Sequence, residues 1–346
     1  MRVELNARNR AYHFEAEPNA PMLYAGLASG INLPYECGSG TCGTCKARLV
    51  SGEIGDLWPE AAGRKYLRRP DDFLMCQGVA RGACSVEVAI SIKDMDPDAR
   101  IPRFHGGTIQ NTKALTQDVV SLSVELDRPM DFHAGQFVTM QLPGVPGYRG
   151  YSMVNFEADT KRLDFVIKKK PGGGVSEWLF KGGADGSRVE LFGPLGTATF
   201  HPKLGKHLLC IAGGSGIAGM MSILAHARAE RYFERFDGHV FFGVRTFADG
   251  FYLAELAQLA AEFPDRLHIT IALSDEAVPN EARATHPALT FAQGWVHEVA
   301  GRTMEGKYHD IRAYLAGPPP AVDASIRMLL LQAKLPAASI RYDKFS

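Results

Sequence analysis

In the middle of the chain apolar and polar residues take turns: Val120, Leu122, Val124 and Leu126 are interleaved with Ser121, Ser123 and Glu125. A period of two belongs to a half-buried strand, because successive side chains leave a pleated backbone on opposite faces. Further strand signals at 136–142, 163–168 and 188–192, separated by glycine-rich turns, predict a closed antiparallel β-barrel. From about residue 203 the pattern changes. Apolar runs at 207–212, 240–244, 269–273 and 313–316 recur with amphipathic stretches such as 220–229 and 252–261 between some of them. Alternation of strand and helix predicts a parallel, doubly wound α/β sheet. Before the barrel, short strands at 2–5, 12–15, 46–50 and 86–90 surround a helix at 22–29, opened by Pro21 and closed by Gly30. The polar stretch SIKDMDPDARIPRF (91–104) has two prolines and no period, and reads as a linker. The expected domains are therefore 1–95, 102–202 and 203–346, a multidomain chain of α+β, β and α/β parts.

Composition narrows the function. At 346 residues the chain exceeds a single compact core. Its 38 basic and 38 acidic residues balance, which leaves no footprint for nucleic acid and no basic face for a membrane surface. No stretch approaches the length of a membrane span. The first twenty residues mix charge throughout and lack an apolar core, so no signal peptide is expected. A cytoplasmic protein keeps its thiols reduced.

That context bears on YECGSGTCGTC (35–45), which holds three of the six cysteines. Reduced thiols exclude a disulfide knot. With Cys76 the spacing is C-x4-C-x2-C-x30-C. Structural zinc sites use two short pairs, and this chain has one. The spacing is that of plant-type 2Fe-2S ligation, so Cys37, Cys42, Cys45 and Cys76 are the expected ligands. Gly38, Gly40 and Gly43 would let the loop wrap a cluster closely and aim backbone N–H groups at its sulfurs. Cys84 and Cys210 lie in apolar runs and read as core residues.

Two further glycine loops carry candidate chemistry. GGGVSEW (172–178) offers N–H groups and a hydroxyl at a helix start, a place for phosphate, and Arg149 of RGYS (149–152) could pair with the same phosphates. Tyr151 could lay its ring on a flat cofactor. GGSGIAG (213–219) follows the first strand of the α/β part, where such folds hold a dinucleotide.

Together these motifs resemble the reductase components of bacterial multicomponent oxygenases, in which a plant-type ferredoxin domain precedes a module of the ferredoxin–NADP reductase superfamily. SGEIGDLWPEA (51–61) is most similar to reductases of toluene and phenol monooxygenases. The resemblance implies a β-grasp ferredoxin domain, an FAD-binding β-barrel and an NAD-binding α/β domain, with 2Fe-2S, FAD and NADH as cofactors. It implies that Arg149 binds FAD phosphate, that Tyr151 packs on the isoalloxazine, and that Ser152 hydrogen-bonds near N5. By the same token Gly174, Val175 and Ser176 hold the pyrophosphate, and Gly213, Gly214, Ser215 and Gly216 lie beside the nicotinamide nucleotide. Arg245 of FFGVR would contact the nucleotide, Tyr252 and Leu253 the adenosine, and Ala316, Gly317 and Pro318 of AGPP the nicotinamide. Phe345 would cover the flavin.

The chain departs from the pattern in three places. Ala316 stands where the family commonly has cysteine, which bears on hydride transfer. Gly219 stands for a proline and should loosen the start of its helix. Glu36 stands for a small or basic residue; it is either a solvated carboxylate or a charge that lowers the cluster potential. The implied partner is an oxygenase component or a separate ferredoxin serving one. Other readings are a reductase of the same build serving an acceptor such as a sugar-deoxygenation enzyme, or an iron–sulfur redox sensor, which would have no use for the flavin motifs.

Overall fold

A computed structural model describes residues 1–344 in three sheets and a small two-stranded ribbon. The first sheet has five strands, in the order Ala11–Glu15, Arg2–Asn6, Cys84–Glu87, Lys46–Ser51 and Asp72–Leu74. Arg2–Asn6 pairs antiparallel with Ala11–Glu15 and parallel with Cys84–Glu87. Helix Met22–Ala28, buried from Met22 to Leu27, crosses this sheet, which gives the β-grasp arrangement. The strand expected at 86–90 lies at Cys84–Glu87.

The second sheet is antiparallel, with six strands in the order Arg149–Ser152, Phe137–Gln141, Arg188–Leu195, Arg103–Ala114, Val119–Met130 and Thr160–Lys168. Its edges meet, because Val154 N–H donates to Asp164 O at 2.8 Å, so the sheet curls into a barrel. The strand Arg103–Ala114 reaches back into the stretch expected to be linker. What remains of the linker is docked. Asn9 Nδ2 donates to Ile92 O at 2.8 Å and accepts from Ile92 N–H through Oδ1 at 3.0 Å, and Arg100 pairs with Asp131 at 2.6 Å.

The third sheet is parallel, in the order Thr290–Gln293, Leu267–Leu273, Gly238–Val244, His207–Gly213, Ile311–Gly317 and Ile340–Lys344. Helices Ile217–Ala229 and Leu253–Glu262 bury Met220, Ile223 and Leu256 on one face. Helices Val296–Thr303 and Pro319–Leu331 bury Val299, Met328 and Leu329 on the other. The winding direction reverses between His207–Gly213 and Ile311–Gly317, and in such sheets a ligand sits beyond the strand ends at that reversal.

Candidate functional site

The four cysteines come together as two pairs. Cys37 Sγ lies 3.2 Å from Cys42 Sγ, and Cys45 Sγ lies 3.2 Å from Cys76 Sγ. Three loop glycines, Gly38, Gly40 and Gly43, have φ of +62°, +86° and +77°, a conformation that side chains resist. The turns aim N–H groups inward: Ser39 and Thr41 donate to Cys37 Sγ and Thr44 to Cys42 Sγ, each at 3.4 Å. The Cys37 thiol is pulled down to about 4, first by the hydrogen bond from Cys42 and then by its loop neighbours. Cys42 and Cys76 are held up by the sulfurs they share protons with. Among the described residues no three Cys, His, Asp or Glu side chains converge on one point. Two thiol pairs with inward N–H donors fit a four-cysteine 2Fe-2S centre, two thiolates to each iron. Cys84 and Cys210 are buried, and burial pushes both thiols up. Glu36 is of intermediate exposure and accepts from Thr44 Oγ1 at 3.2 Å.

The cluster loop sits on the barrel. A Cβ at Gly38 would lie 3.4 Å from Leu195 Cδ1 and from Thr139 Cγ2. Thr139 is the cross-strand neighbour of Gly150 in RGYS. Tyr24, fully buried, donates to Gly38 O at 2.9 Å and stacks on Phe192 of the barrel, with ring centroids 4.2 Å apart and planes within 4°. Tyr148 meets the same tyrosine edge-on at 5.1 Å. Gly196 N–H donates to Tyr35 Oη at 3.0 Å.

On the barrel, Arg149, Tyr151 and Ser152 share one strand. Arg149 is half-buried and, among the described residues, bonds only carbonyls, donating to Tyr148 O at 2.9 Å and Pro146 O at 3.3 Å. Burial lowers its pKa, as expected of a cation stripped of water without a carboxylate. Ser152, 8% exposed, faces helix Ile217–Ala229: a Cβ at Gly219 would stand 3.6 Å from its Oγ. Gly219 therefore sits at the contact between barrel and α/β domain. Gly174, Val175 and Ser176 open helix Gly174–Phe180, and Gly174 packs on Val145 of the loop leading to Arg149. The Ser176 hydroxyl closes its own loop, donating to Lys170 O and Gly173 O and accepting from Lys170 N–H. Val175 is buried in the barrel core. What this turn offers an anion is backbone.

At the winding reversal, Gly213–Gly216 and Ala316–Pro318 interlock backbone to backbone. A Cβ at Gly216 would stand 2.4 Å from Ala316 O, and one at Gly317 (φ +139°) 2.8 Å from Gly213 O. Only glycine permits that approach. Ser215 lies in the short turn Gly214–Gly216. Arg245 faces two carboxylates, Asp249 at 3.2 Å and Asp118 at 3.6 Å. Asp249 also closes a capping box with Thr246. Tyr252 is half-buried with φ of +58°, and Leu253, 8% exposed, packs into the sheet's core. The last strand pairs Asp343 with Ala316; loss of water around its carboxyl, and then Glu36, pushes Asp343 up to about 7. Phe345 lies outside the described residues.

Sequence reasoning missed three groups at these sites. Tyr24 carries no motif, and Trp58 lies in SGEIGDLWPEA (51–61) with no role assigned to it; the contacts of both are with residues remote in the chain. Gln77, 1% exposed, follows the expected ligand Cys76 and has no signal of its own in the sequence.

Three family models match in tandem: a 2Fe-2S iron-sulfur cluster binding domain over residues 5–81, an oxidoreductase FAD-binding domain over 107–200 and an oxidoreductase NAD-binding domain over 210–326. They define a flavin- and iron–sulfur-dependent oxidoreductase. The ferredoxin–NAD(P)+ reductase CarAd of Metapseudomonas resinovorans is 33% identical over 96% of this chain and 99% of its own. The ferredoxin–NAD+ reductase component of the alkene monooxygenase system of Xanthobacter autotrophicus is 32% identical over 97% of this chain and 99% of its own. The solved ferredoxin reductase of carbazole 1,9a-dioxygenase superimposes with a TM-score of 0.82 at 30% identity, covering 100% of this chain and 99% of that one. The chain belongs to the ferredoxin–NAD(P)+ reductase components of multicomponent oxygenases. Among the described residues no helix is long and apolar enough to cross a membrane.

Proposed function

We propose that this chain takes hydride from NADH and delivers single electrons through its own cluster to an oxygenase component, or to a ferredoxin serving one, in the cytoplasm. The observation that carries this reading is the shared wall between cluster loop and barrel: Gly38 rests on Thr139, whose strand partner lies within RGYS. Bound FAD and 2Fe-2S supply the conversion between a two-electron donor and a one-electron acceptor. The protein supplies position. Arg149 and the N–H groups of 174–176 hold the flavin phosphates, Tyr151 backs the ring, and Ser152 places a hydroxyl at its reactive edge. Gly213–Gly216 and Ala316–Pro318 form the floor for nicotinamide, with Ala316 where a thiol would otherwise stand. Phe345, outside the described residues, is the residue that the family resemblance assigns to cover the flavin. Arg245, Tyr252 and Leu253 mark the adenosine side, where two carboxylates on Arg245 favour NADH over NADPH.

Replacing Cys76 by serine tests the route. NADH-dependent reduction of ferricyanide, which takes electrons from the flavin, should stay within about twofold of wild type, while cytochrome c reduction through the cluster falls at least about tenfold. Equal loss of both activities contradicts the proposed order.

A further inference from the structure

Trp58 lies in the ferredoxin domain, 91 positions before Arg149, yet its ring covers the guanidinium face: Arg149 Cζ stands 3.7 Å from the ring centroid. The tryptophan is fixed from several directions. Its backbone N–H donates to Asp56 Oδ1 at 2.9 Å, Asp56 is paired with Arg64, and Ala61 N–H donates to Trp58 O at 3.0 Å. Leu57 N–H donates to Gln77 O at 2.9 Å, which ties this turn to the residue after the cluster ligand Cys76. Gln77 and Trp58 together grip the loop before Arg149. A Cβ at Gly147 would lie 3.4 Å from both Gln77 Oε1 and Trp58 Cε3, and 3.2 Å from Arg149 Nη1. Gly147 has φ of +70°.

A guanidinium has two kinds of surface. Its flat faces stack on rings and its N–H edges bind oxyanions, so both can be occupied at once. In Arg149 one face is covered by Trp58, and among the described residues its hydrogen bonds use Nη1 alone. Nε and Nη2 are left for an anion. We propose that Trp58 is a positioning residue of the flavin site: the ferredoxin domain completes FAD binding by holding Arg149 face-on, so that its free edge meets the flavin phosphates. This rests on the reading of Arg149 as a phosphate ligand. It makes the domain that receives electrons also a determinant of whether the donor stays bound.

The test is FAD retention by the full-length holoenzyme, read from the fluorescence of released flavin on serial dilution, with the visible spectrum of the cluster followed in parallel. Arg149→Ala should weaken FAD binding at least about tenfold, and Trp58→Leu, which keeps apolar bulk without a π face, about threefold to thirtyfold. Trp58→Phe should restore most of that loss. In an Arg149→Ala background Trp58→Leu should add nothing, and all variants should keep the cluster spectrum. If Arg149→Ala weakens FAD but Trp58→Leu does not, or if the two losses multiply in the double variant, the role of Trp58 is overturned while the phosphate reading stands. If Arg149→Ala binds FAD as tightly as wild type, the phosphate reading falls, and the role of Trp58 falls with it.

Discussion

The two seams of the barrel share packed rings but differ in what lies beside them. Against the ferredoxin domain it presents rings: Phe104, Tyr148 and Phe192 around Tyr24, with Phe192 and Tyr24 stacked flat. Against the parallel-sheet domain it presents rings and small groups side by side: Phe156 stacks on His226 with centroids 4.0 Å apart and Phe200 meets His226 and Tyr232 edge-on, while Gly135 and Ser152 meet Ser222 and Gly219 of helix Ile217–Ala229, Ser222 Oγ accepting from Gly135 N–H at 3.4 Å. A crevice of about 990 Å³ opens where ferredoxin domain, linker, barrel and parallel sheet meet, lined by Tyr35, His133, His201, Arg312 and Arg341 among others. Packed rings resist displacement, because each buried aromatic has many close neighbours and no empty space to enter. On the parallel-sheet side the contact also includes glycines and hydroxyls, groups too small to interlock in that way. The difference follows the chemistry. An electron needs two centres held at a fixed distance, whereas hydride transfer needs nicotinamide to arrive, stack and depart.

This contrast can be broken at its strongest point. Phe192→Ala should leave a cavity at the ring stack and cost about 3–5 kcal/mol of stability, with thermal unfolding as the measurement. It should slow cluster reduction by flavin while leaving NADH-to-flavin hydride transfer nearly unchanged. An equal slowing of both steps would mean that the two seams are not independent. On the other seam, the carboxylates at Arg245 should give a kcat/KM for NADH about tenfold above that for NADPH, and a higher value for NADPH rejects that assignment. Removing Phe345 and Ser346 should narrow that preference a few-fold, and Ala316→Cys should strengthen the long-wavelength charge-transfer band formed with NADH. Stopped-flow traces unchanged in both variants would place neither residue at the flavin.

Much of this was legible in the chain. The cysteine spacing marked four thiols that the fold brings together in two pairs, and period-two and strand–helix alternation marked the two larger sheets, because each depends on neighbours close in sequence. The rest depended on distant partners. Arg103–Ala114 begins inside a polar, proline-bearing stretch, and its pairing with Arg188–Leu195 makes it a strand. Ile340–Lys344 is short and charged, and pairing with Ile311–Gly317 makes it the sheet's edge. Ser176 shows why a motif is not a contact: its hydroxyl is consumed by Lys170 and Gly173. No local pattern could have joined Trp58 to Arg149.

A smaller effect separates the domains by pH. Burial, and then the neighbouring His268 ring 5.2 Å away, lower His239 to about 4. The unfolded chain then binds a proton between about pH 6.5 and pH 4 that the folded chain refuses, so stability falls as pH falls through that window. His239→Asn should flatten the decline in the unfolding temperature of the parallel-sheet domain over that range. An unchanged slope would show that His239 is not the group responsible.

We propose that electrons cross from flavin to cluster within one chain, over a seam that does not open. This crossing is tested most directly by mixing the oxidised protein with excess NADH in anaerobic stopped flow, and following flavin bleaching and cluster reduction separately over a tenfold range of protein concentration. Cluster reduction should follow flavin reduction with a rate constant independent of protein concentration. A rate that rises in proportion to protein concentration would show that electrons pass between molecules, and would contradict the account.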